Sequence, residues 1–376
     1  MFVFKREIEE RIREYLFRGK IVLIFGPRQA GKTTLVKKLL SERGDEEAYF
    51  NCELAAVRQH FIPGEPQALK KLVGDRPLVV FDEAQTITDI GLILKTFVDT
   101  YPETQIIATG SSSFDLSNKT IEPLTGRAVE FMLYPLSLKE LRTAFPSLSR
   151  DDLDEFMRVG TYPGVVAERD MHARETFLKN LTTSYLYKDV YLFESIRNPR
   201  VFEDLIRMLA LQIGSLVSVN ELAQALGVSR ATVEKYLRLL EQTYIIRIVR
   251  SYSRNPRNEM KRGFKVFFID VGIRNAVIDN VAPLAGRSDR GALFENFFMT
   301  ERFKRGVVDA FPPGLYFWRD RKGNEVDVVE ERAGALRAFE CKWSEQSSKA
   351  LDVFRRRYPD AAADIMTPDD LLQHAL

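Results

Sequence analysis

The sequence predicts an α/β protein of several domains, and three of its features carry that prediction. Its 376 residues exceed what one ordinary hydrophobic core accommodates. In the first third, short continuous apolar runs alternate with segments of helical periodicity, which is the pattern of a parallel sheet covered by helices. After residue 200 the pattern changes to two short helices separated by a glycine and followed by strand-like runs.

Composition and charge exclude several classes of protein. An apolar fraction of 45% and a charged fraction of 29% are typical of a folded globular chain. Cys52 and Cys341 lie far apart without a CxxC pair, so they indicate neither disulfides nor zinc and fit a reducing compartment. The start, MFVFKREIEERIREYLF, contains scattered acids, and no run of about 18 apolar residues follows, so we expect a cytoplasmic protein without a membrane span. The chain has 55 basic and 53 acidic residues, so its charge is nearly balanced. A nucleic acid, if it binds, must therefore contact a local basic patch and not the whole surface.

A phosphate-binding loop follows the first strand-like run, IVLIF at residues 21–25. The string GPRQAGKTT leads from that run into a helix, as the motif requires, which disfavours a plain glycine turn with a solvated lysine. We expect backbone N–H groups to converge on ATP phosphates, Lys32 to reach the β- and γ-phosphates, and Thr33 to bind Mg²⁺. The residues predicted to contact the nucleotide here are Gly26, Arg28, Gly31, Lys32, Thr33 and Thr34.

Two further strand-like runs end in polar residues. Asp82 and Glu83 follow LVVF about fifty residues after the loop lysine, where a Walker B acid is expected. Asp82 would hold the metal ion through water, and Glu83 would polarise the attacking water. The run TQIIATGSSSF ends in hydroxyls, of which Thr109 and Ser111 are candidate sensors of the γ-phosphate. A serine-rich loop at a strand end explains these hydroxyls nearly as well.

These strings resemble those of the AAA-family ATPases of bacteria and archaea. FDEAQ, ATGSSS, LTGRAVEFMLYPLSLKEL and GTYPGVV occur here in the order found in that family. The resemblance implies an ASCE-type P-loop core, a catalytic role for Arg127 facing the nucleotide, and positions near the adenine for Gly160 and Pro163. A surface arginine after a glycine turn is the alternative for Arg127, and Arg28 is a second candidate. Arginines of this kind often act between subunits, so a homo-oligomer is a candidate state.

Helical periodicity from about 135 to 200 predicts a lid and a bridge leading out of the ATPase core. Beyond it, SVNELAQALGVSRATVEKYLRLLEQTYIIRIVRSY predicts helix, glycine turn, helix and strand. Asn220 would cap the first helix, Gly227 would make the turn, and Ser229 would cap the second helix. YIIRIVR and GFKVFFID would supply the two strands of a wing, so this part predicts a winged helix-turn-helix.

Residues 229–265 are basic, with ten Arg and Lys against three Glu. A basic wing beside a recognition helix is an arrangement that contacts DNA phosphates. Winged helices also serve as protein–protein modules, and a protein is therefore the alternative partner. The candidates for DNA contact are Arg230 and Lys235 in the groove, and Arg254, Arg257 and Arg262 on the backbone.

The carboxyl-terminal part predicts a small α/β domain. LYFWR, EVDVV and LRAFECKW are strand candidates, and a turn at RAG would place Asp327 next to Glu340. Strict alternation would put Asp327 on one face with Glu325 and Val329, and Glu340 on one face with Lys342. A helix at SSKALDVFRRRY, a strand at ADIM and a last short helix complete the domain.

This pattern resembles the PD-(D/E)XK, or restriction-endonuclease-like, nuclease superfamily. The resemblance implies that Asp327, Glu340 and the helix-borne Glu295 bind Mg²⁺ or Mn²⁺, and that Lys342 activates water or stabilises charge. Facing carboxylates repel without a cation between them, and Lys342 is an alternative source of that charge. Val326 stands where the family often has proline.

The favoured function is ATP binding and hydrolysis by an enzyme that acts on or is switched by DNA, with metal-dependent DNA cleavage as a further activity to test. The alternative is a nucleotide-controlled regulator that binds DNA or a protein and uses its carboxyl-terminal fold as a scaffold. The predicted domains are the ATPase core at 1–135, the helical lid and bridge at 136–200, the winged helix at 201–270, and the nuclease-like domain at 271–376.

Overall fold

The chain forms two compact units. A computed structural model describes residues 3–111, 124–183, 196, 198–253, 263–344 and 347–373. One unit is residues 1–135 with 242–244, and the other is residues 136–241 with 245–376. The first unit ends at the residue where the sequence places the end of the ATPase core, and the boundaries predicted at 200 and 270 fall inside the second unit.

The first unit is a five-stranded parallel sheet with helices. Its strands are β1 (Ile21–Phe25), β2 (Tyr49–Asn51), β3 (Leu78–Asp82), β4 (Gln105–Gly110) and β5 (Ala128–Met132). Its described helices are α1 (Ile8–Tyr15), α2 (Lys32–Ser41), α3 (Ala55–Arg58), α4 (Pro66–Val73) and α5 (Ile90–Thr100). The strands lie in the order β2-β3-β4-β1-β5 and every neighbouring pair is parallel.

Continuous apolar runs form the centre of this sheet. Every residue of β1, β3 and β4 is buried, as expected for strands covered on both faces. The carboxyl ends of parallel strands meet at one edge of a sheet, so the loops that follow β1, β3 and β4 lie together there. Because β4 lies between β1 and β3, residues that follow all three strands can meet in one site.

The second unit contains two sheets and most of the helices. Its described helices are α6 (Leu138–Ala144), α7 (Arg150–Val159), α8 (Pro163–Ala167), α9 (Met171–Thr183), α10 (Pro199–Leu211), α11 (Val219–Leu226), α12 (Arg230–Gln242), α13 (Val271–Val277), α14 (Arg290–Gly306), α15 (Lys349–Arg357) and α16 (Pro368–Gln373). Its strands are β6 (Leu216–Val217), β7 (Ile246–Arg250), β8 (Phe264–Phe268), β9 (Gly314–Arg319), β10 (Glu325–Arg332), β11 (Ala335–Cys341) and β12 (Ala362–Met366). No described helix is long and apolar enough to cross a membrane.

The two sheets of this unit differ in pairing. Strands β6, β8 and β7 form an antiparallel sheet in the order β6-β8-β7. The other sheet has the order β12-β11-β10-β9, with antiparallel pairs except for the parallel pair of β11 and β12. The expected hairpin is confirmed, since Val328 pairs with Phe339 and Asp327 therefore lies beside Glu340.

One hydrophobic core joins the helices that the sequence assigned to a lid with the part that follows them. Val159 and Leu178 of α7 and α9 are buried in the same cluster as Phe202 of α10 and Leu237 of α12. Helices α6 to α9 therefore belong to the second unit, together with the predicted winged helix.

Helix boundaries around residue 227 follow the expected turn, with one correction. Gly227 has a left-handed backbone with φ 65°, and the Ser229 hydroxyl accepts a hydrogen bond from the Thr232 N–H. The predicted cap at Asn220 is wrong, because Asn220 lies inside α11. The Ser218 hydroxyl caps that helix instead by accepting from the Glu221 N–H.

Strand β10 departs from strict alternation. Val326 pairs with Trp318 but Val329 pairs with Tyr316, so two residues of β10 face one residue of β9. Val326 and Val329 consequently lie in the same apolar cluster. The expectation that Asp327 shares a face with Val329 by alternation is therefore wrong, because this β-bulge turns the side chains between them.

Gly160, between α7 and α8, packs against a buried carboxylate. A Cβ at this position would lie 2.0 Å from Asp270 Oδ1, and its φ is +81°. The same carboxylate accepts from the N–H groups of Thr161 at 2.7 Å and Gly272 at 2.9 Å. Burial raises the pKa of Asp270 above its usual range. The segment after α7 is thus held to the start of α13 by contacts that leave no room for a side chain.

We expect Gly160→Ala to destabilise the second unit by about 3 kcal/mol, since it adds a clash with a hydrogen-bonded carboxylate to the strain of positive φ. Urea unfolding monitored by tryptophan fluorescence measures this, because both tryptophans, Trp318 and Trp343, lie in that unit. The control is Gly286→Ala, where φ is +89° and nothing lies within 4 Å of the added Cβ. It should cost about 1 kcal/mol. Equal losses in the two variants would contradict the packing role of Asp270.

Candidate functional site

The loop between β1 and α2 has the backbone of a phosphate-binding loop. Gly26 has φ +152°, and a Cβ there would lie 2.0 Å from the Leu133 carbonyl oxygen. Gly31 is the N-cap of α2, with a left-handed φ of 100°. The two glycines that the motif requires are therefore the ones that the backbone needs, and the loop leads directly into the positive end of α2.

Lys32 is buried under this loop. Its Nζ donates to the carbonyl oxygens of Gly26 at 2.8 Å and Pro27 at 2.9 Å. Burial lowers the pKa of Lys32 to about 8, against the opposing attraction of Glu83 and Asp82. An ammonium that has only neutral carbonyls as hydrogen-bond partners gains a charged partner when a phosphate arrives.

Asp82 ends β3 and is buried at the centre of a hydroxyl cluster. Its Oδ2 accepts from the Thr33 hydroxyl at 2.7 Å and from the Tyr49 hydroxyl at 2.6 Å. Its Oδ1 accepts from the Thr109 hydroxyl. The structure therefore brings together three residues that the sequence predicted from separate motifs, and it adds Tyr49. No local signal marks Tyr49, which reaches Asp82 only because β2 pairs with β3.

Glu83 is oriented by two neighbours. It has a left-handed backbone with φ 55°, and its N–H donates to the Thr109 hydroxyl at 3.2 Å. The Gln85 side-chain amide donates to the Glu83 carboxylate and to the Ser111 hydroxyl, the latter at 3.0 Å. Ser111 thus joins the site through Gln85, a residue that the sequence analysis missed although it stands in FDEAQ.

Oxygen donors at this site suit a magnesium ion. The Thr33 hydroxyl and the Asp82 carboxylate are hard ligands and lie within hydrogen-bond distance of each other. Magnesium keeps several waters and binds protein through one or two side chains plus substrate phosphates, so two such ligands suffice. Thr33 and Asp82 would hold the ion, which would neutralise phosphate charge.

Arg127 does not face the nucleotide site of its own chain. Its carbonyl oxygen accepts from the Ile21 N–H at 2.8 Å, at the start of β1, whereas the phosphate-binding loop begins after Phe25. The two ends of β1 lie about 13 Å apart. The exposed guanidinium pairs with Asp99 at 2.8 Å. The implied nucleotide-facing role is therefore wrong within one chain, because Arg127 lies at the opposite edge of the sheet.

The remaining predicted contacts fall in different places. Arg28 lies half-buried in the phosphate-binding loop, and Thr34 lies in the first turn of α2. Gly160 and Pro163 belong to the second unit, so their contact with adenine stays a prediction. Arg254, Arg257 and Arg262 lie outside the described residues.

Arg6 is a buried residue that the sequence analysis missed. Its guanidinium donates to the Ala30 carbonyl inside the phosphate-binding loop and to the Tyr134 carbonyl after β5, both at 2.6 Å. Glu9 accepts from the Arg6 N–H at 2.9 Å. The amino-terminal segment is therefore hydrogen-bonded through Arg6 to the phosphate-binding loop and to the residue after β5.

In the second unit, the predicted acidic residues lie together. Asp327 Oδ2 accepts from the Cys341 N–H at 2.8 Å, and Lys342 Nζ lies 2.8 Å from Glu340 Oε1. Glu340 is 7% exposed, and its Oε2 has no hydrogen-bond partner among the described residues. Burial, with the charges of Glu295 and Glu340, raises the pKa of Asp327 well above its usual range.

Lys265 of β8 also enters this cluster. Its Nζ lies 2.8 Å from Glu295 Oε1 and 2.6 Å from Glu325 Oε1. We call the set Lys265, Glu295, Glu325, Asp327, Glu340 and Lys342 the acidic cluster.

The acidic cluster does not fit the divalent metal ion that the nuclease resemblance implies. Among the described residues, no three or more His, Cys, Asp or Glu side chains are arranged to hold a metal ion. A lysine Nζ lies 2.8 Å from one carboxylate oxygen of Glu295 and of Glu340. The prediction that Asp327, Glu340 and Glu295 form a metal site is therefore not met, because the chain supplies its own cations there.

The candidate DNA contacts that the structure describes lie on α12. Arg230 and Lys235 are exposed, and Arg230 pairs with Glu234 at 2.8 Å. Buried residues of the same helix, including Val233 and Leu237, face the hydrophobic core. The basic side chains therefore lie on the solvent face of α12.

Comparison with known proteins finds a family match for most of the first unit. Residues 18–142 match the AAA domain family. The match includes the phosphate-binding loop and the residues around Asp82. Residues 150–284 and 290–371 match two domains of unknown function, DUF8612 and DUF4143. These matches place further boundaries near residues 150 and 290.

Similarity over most of the chain extends to uncharacterized proteins. One of Mycobacterium tuberculosis is 29% identical over 348 residues, covering 91% of this chain and 74% of that protein. One of Methanocaldococcus jannaschii is 25% identical over 347 residues, covering 87% of this chain and 75% of that protein. A solved DNA replication initiation factor is 16% identical, covers 73% of this chain and 93% of its own, and has a TM-score of 0.29.

We expect nucleotide affinity to fall as pH rises through the pKa of Lys32. With a pKa of about 8 in the nucleotide-free protein, the charged fraction drops from about 90% at pH 7 to about 10% at pH 9. Since the ammonium binds phosphate, the Kd for ATP should rise about tenfold, as measured by titration with a fluorescent ATP analogue. Lys32→Arg stays charged at both pH values and should bind with a flat pH profile. A tenfold rise in Lys32→Arg as well would assign the effect to another group.

Proposed function

We propose that the chain is an AAA-type enzyme that hydrolyses ATP and is switched by DNA. The observation that carries the proposal is the arrangement around Asp82, where hydroxyls that follow β1 and end β4 meet one buried carboxylate beside Glu83. That is the set of groups which ATP hydrolysis by a P-loop enzyme requires.

Each residue of this set has a role that its position supports. The loop N–H groups and Lys32 would bind the phosphates, replacing the carbonyl partners that Lys32 has now. Thr33 and Asp82 would hold Mg²⁺, which supplies charge stabilisation. Glu83 would accept a proton from the attacking water, and Gln85 and Thr109 would hold Glu83 in place.

We expect Glu83→Gln to lower kcat for ATP hydrolysis about 100-fold or more, because the amide removes the base and leaves the phosphate contacts. The Kd for ATP should change by less than about threefold. Steady-state phosphate release and equilibrium nucleotide binding measure the two quantities. Glu53→Gln is the matched control, since Glu53 is an exposed carboxylate after the neighbouring strand β2. Full hydrolysis by Glu83→Gln would remove Glu83 from the mechanism.

DNA contact through the second unit is supported by the order of its elements. Helix α10, strand β6, helices α11 and α12, and strands β7 and β8 follow one another, and the strands form the antiparallel sheet β6-β8-β7. This is the order of a winged helix, with α12 as the recognition helix. Its solvent face carries Arg230, Lys235 and Arg238.

We expect Arg230→Ala/Lys235→Ala to weaken binding of short duplex DNA about tenfold or more at low salt. The slope of log affinity against log salt should fall by about 2, since each phosphate contact contributes about one. Fluorescence anisotropy with labelled duplex at several salt concentrations measures both. Arg356→Ala/Arg357→Ala removes the same charge from exposed positions of α15 and is the control. Equal losses in the two variants would show a response to net charge only.

The carboxyl-terminal module is proposed to be a restriction-endonuclease-like scaffold. Helix α14, the antiparallel strands β9 to β11, helix α15 and the parallel strand β12 support that fold. Lysine ammonium groups pair with Glu295 and Glu340, which supports a scaffold role for this module rather than DNA cleavage.

A further inference from the structure

Lys265 is the most deeply buried cation of the acidic cluster. Its side chain is 1% exposed, and two carboxylates from two different elements lie within hydrogen-bond distance of its Nζ. Glu295 comes from α14 and Glu325 from β10, while Lys265 itself comes from β8. An ammonium with this burial needs charged partners on more than one side, and the fold provides them.

Asp327 is the third carboxylate that acts on this ammonium. The β-bulge after Val326 turns the neighbouring side chains of β10, as bulges do beside functional sites. The charges of Glu295, Glu325 and Asp327 all act on Lys265, and its Nζ lies within 2.8 Å of the first two. The Lys265 ammonium therefore lies amid the carboxylates that would otherwise surround a metal ion.

We propose that Lys265 is the resident cation of the acidic cluster and that it excludes a divalent metal ion from Asp327 and Glu340. The remaining acid, Glu340, has Lys342 as its own cation at 2.8 Å. Two ammonium groups thus lie among the acids of the carboxyl-terminal module. The inference rests on these ion pairs and is independent of ATP hydrolysis in the first unit.

The position of the ammonium groups gives the reason for the exclusion. Lys265 Nζ lies within 2.8 Å of one oxygen each of Glu295 and Glu325, and Lys342 Nζ lies 2.8 Å from one oxygen of Glu340. A metal ion at Asp327 would be repelled by the Lys265 ammonium, because the charges of Asp327 and Lys265 act on each other. Removing that ammonium would leave oxygen ligands of the kind that Mn²⁺ prefers.

The test is Mn²⁺ binding to the full chain without nucleotide. Asp82→Asn is present in every sample to remove the magnesium ligand of the first unit. The loss of the electron paramagnetic resonance signal of free Mn²⁺ measures binding. The Lys265 chain, which carries Asp82→Asn and no other change, should have no Mn²⁺ site that is lost when Asp327→Asn is added. Lys265→Met should bind one Mn²⁺ per chain, with an affinity about 100-fold or more above the Lys265 chain, because it removes a like charge at short range.

Controls separate this site from others. Lys265→Met with Asp327→Asn should lose the new Mn²⁺ site, and Lys265→Arg, which keeps the charge, should not gain one. If Lys265→Met does not fold, Mn²⁺ binding by the Lys265 chain, with and without Asp327→Asn, still tests the proposal. An Mn²⁺ ion bound there in one-to-one stoichiometry and lost with Asp327→Asn would overturn the proposal. A folded Lys265→Met chain without added Mn²⁺ affinity would overturn it as well.

DNA cleavage assays make the outcome independent of the proposed function. We expect no Mn²⁺-dependent nicking of supercoiled DNA by the Lys265 chain, with or without ATP. If nicking occurs and Asp327→Asn abolishes it, the cluster is a metal site and the proposal fails. If the ATPase proposal is wrong, the unmodified chain will release no phosphate from ATP. The Mn²⁺ result will be unchanged in that case.

Discussion

The buried carboxylate of Asp82 is the group on which the nucleotide site depends. A carboxylate away from water is costly unless its oxygens accept hydrogen bonds, and Asp82 receives three, from the hydroxyls of Thr33, Tyr49 and Thr109. These hydroxyls come from α2, β2 and β4. They meet only because the sheet has the order β2-β3-β4-β1, so the site requires this strand order.

The second unit also has buried carboxylates that need partners, and there the partners are lysine ammonium groups in place of hydroxyls. Lys265 joins β8 to α14 and β10. Lys304 of α14 donates to the Leu136 carbonyl at 2.9 Å and the Thr161 hydroxyl at 3.0 Å, and it pairs with Glu301. Breaking one partner of such a buried pair costs several kcal/mol, about 3–5 in measured cases. Lys304 therefore connects the segments at Leu136 and Thr161 to α14, and Lys265 connects β8 to α14 and β10.

Sequence patterns were most informative where function depends on neighbouring residues. The phosphate-binding loop requires glycines at positions where the backbone turns or approaches Leu133, and the sequence shows them. The hairpin that pairs Asp327 with Glu340 was also predictable, because a short turn sets the register of two strands. The implied position of Arg127 was wrong, since a string of letters does not say at which edge of a sheet its residues lie. Asn220 was misassigned because Ser218 begins the helix two residues earlier.

The sequence by itself determined the local elements of this protein: the loop that binds phosphate, the acid that ends β3, and the strands and helices that carry the acidic cluster. Only the tertiary structure decided which side chains complete each site. Tyr49, Arg6 and Lys265 carry no local motif, and each reaches its site through an element distant in the chain. The physical reason is that buried charge needs partners in three dimensions, and sheet order and burial supply those partners without leaving a pattern along the chain.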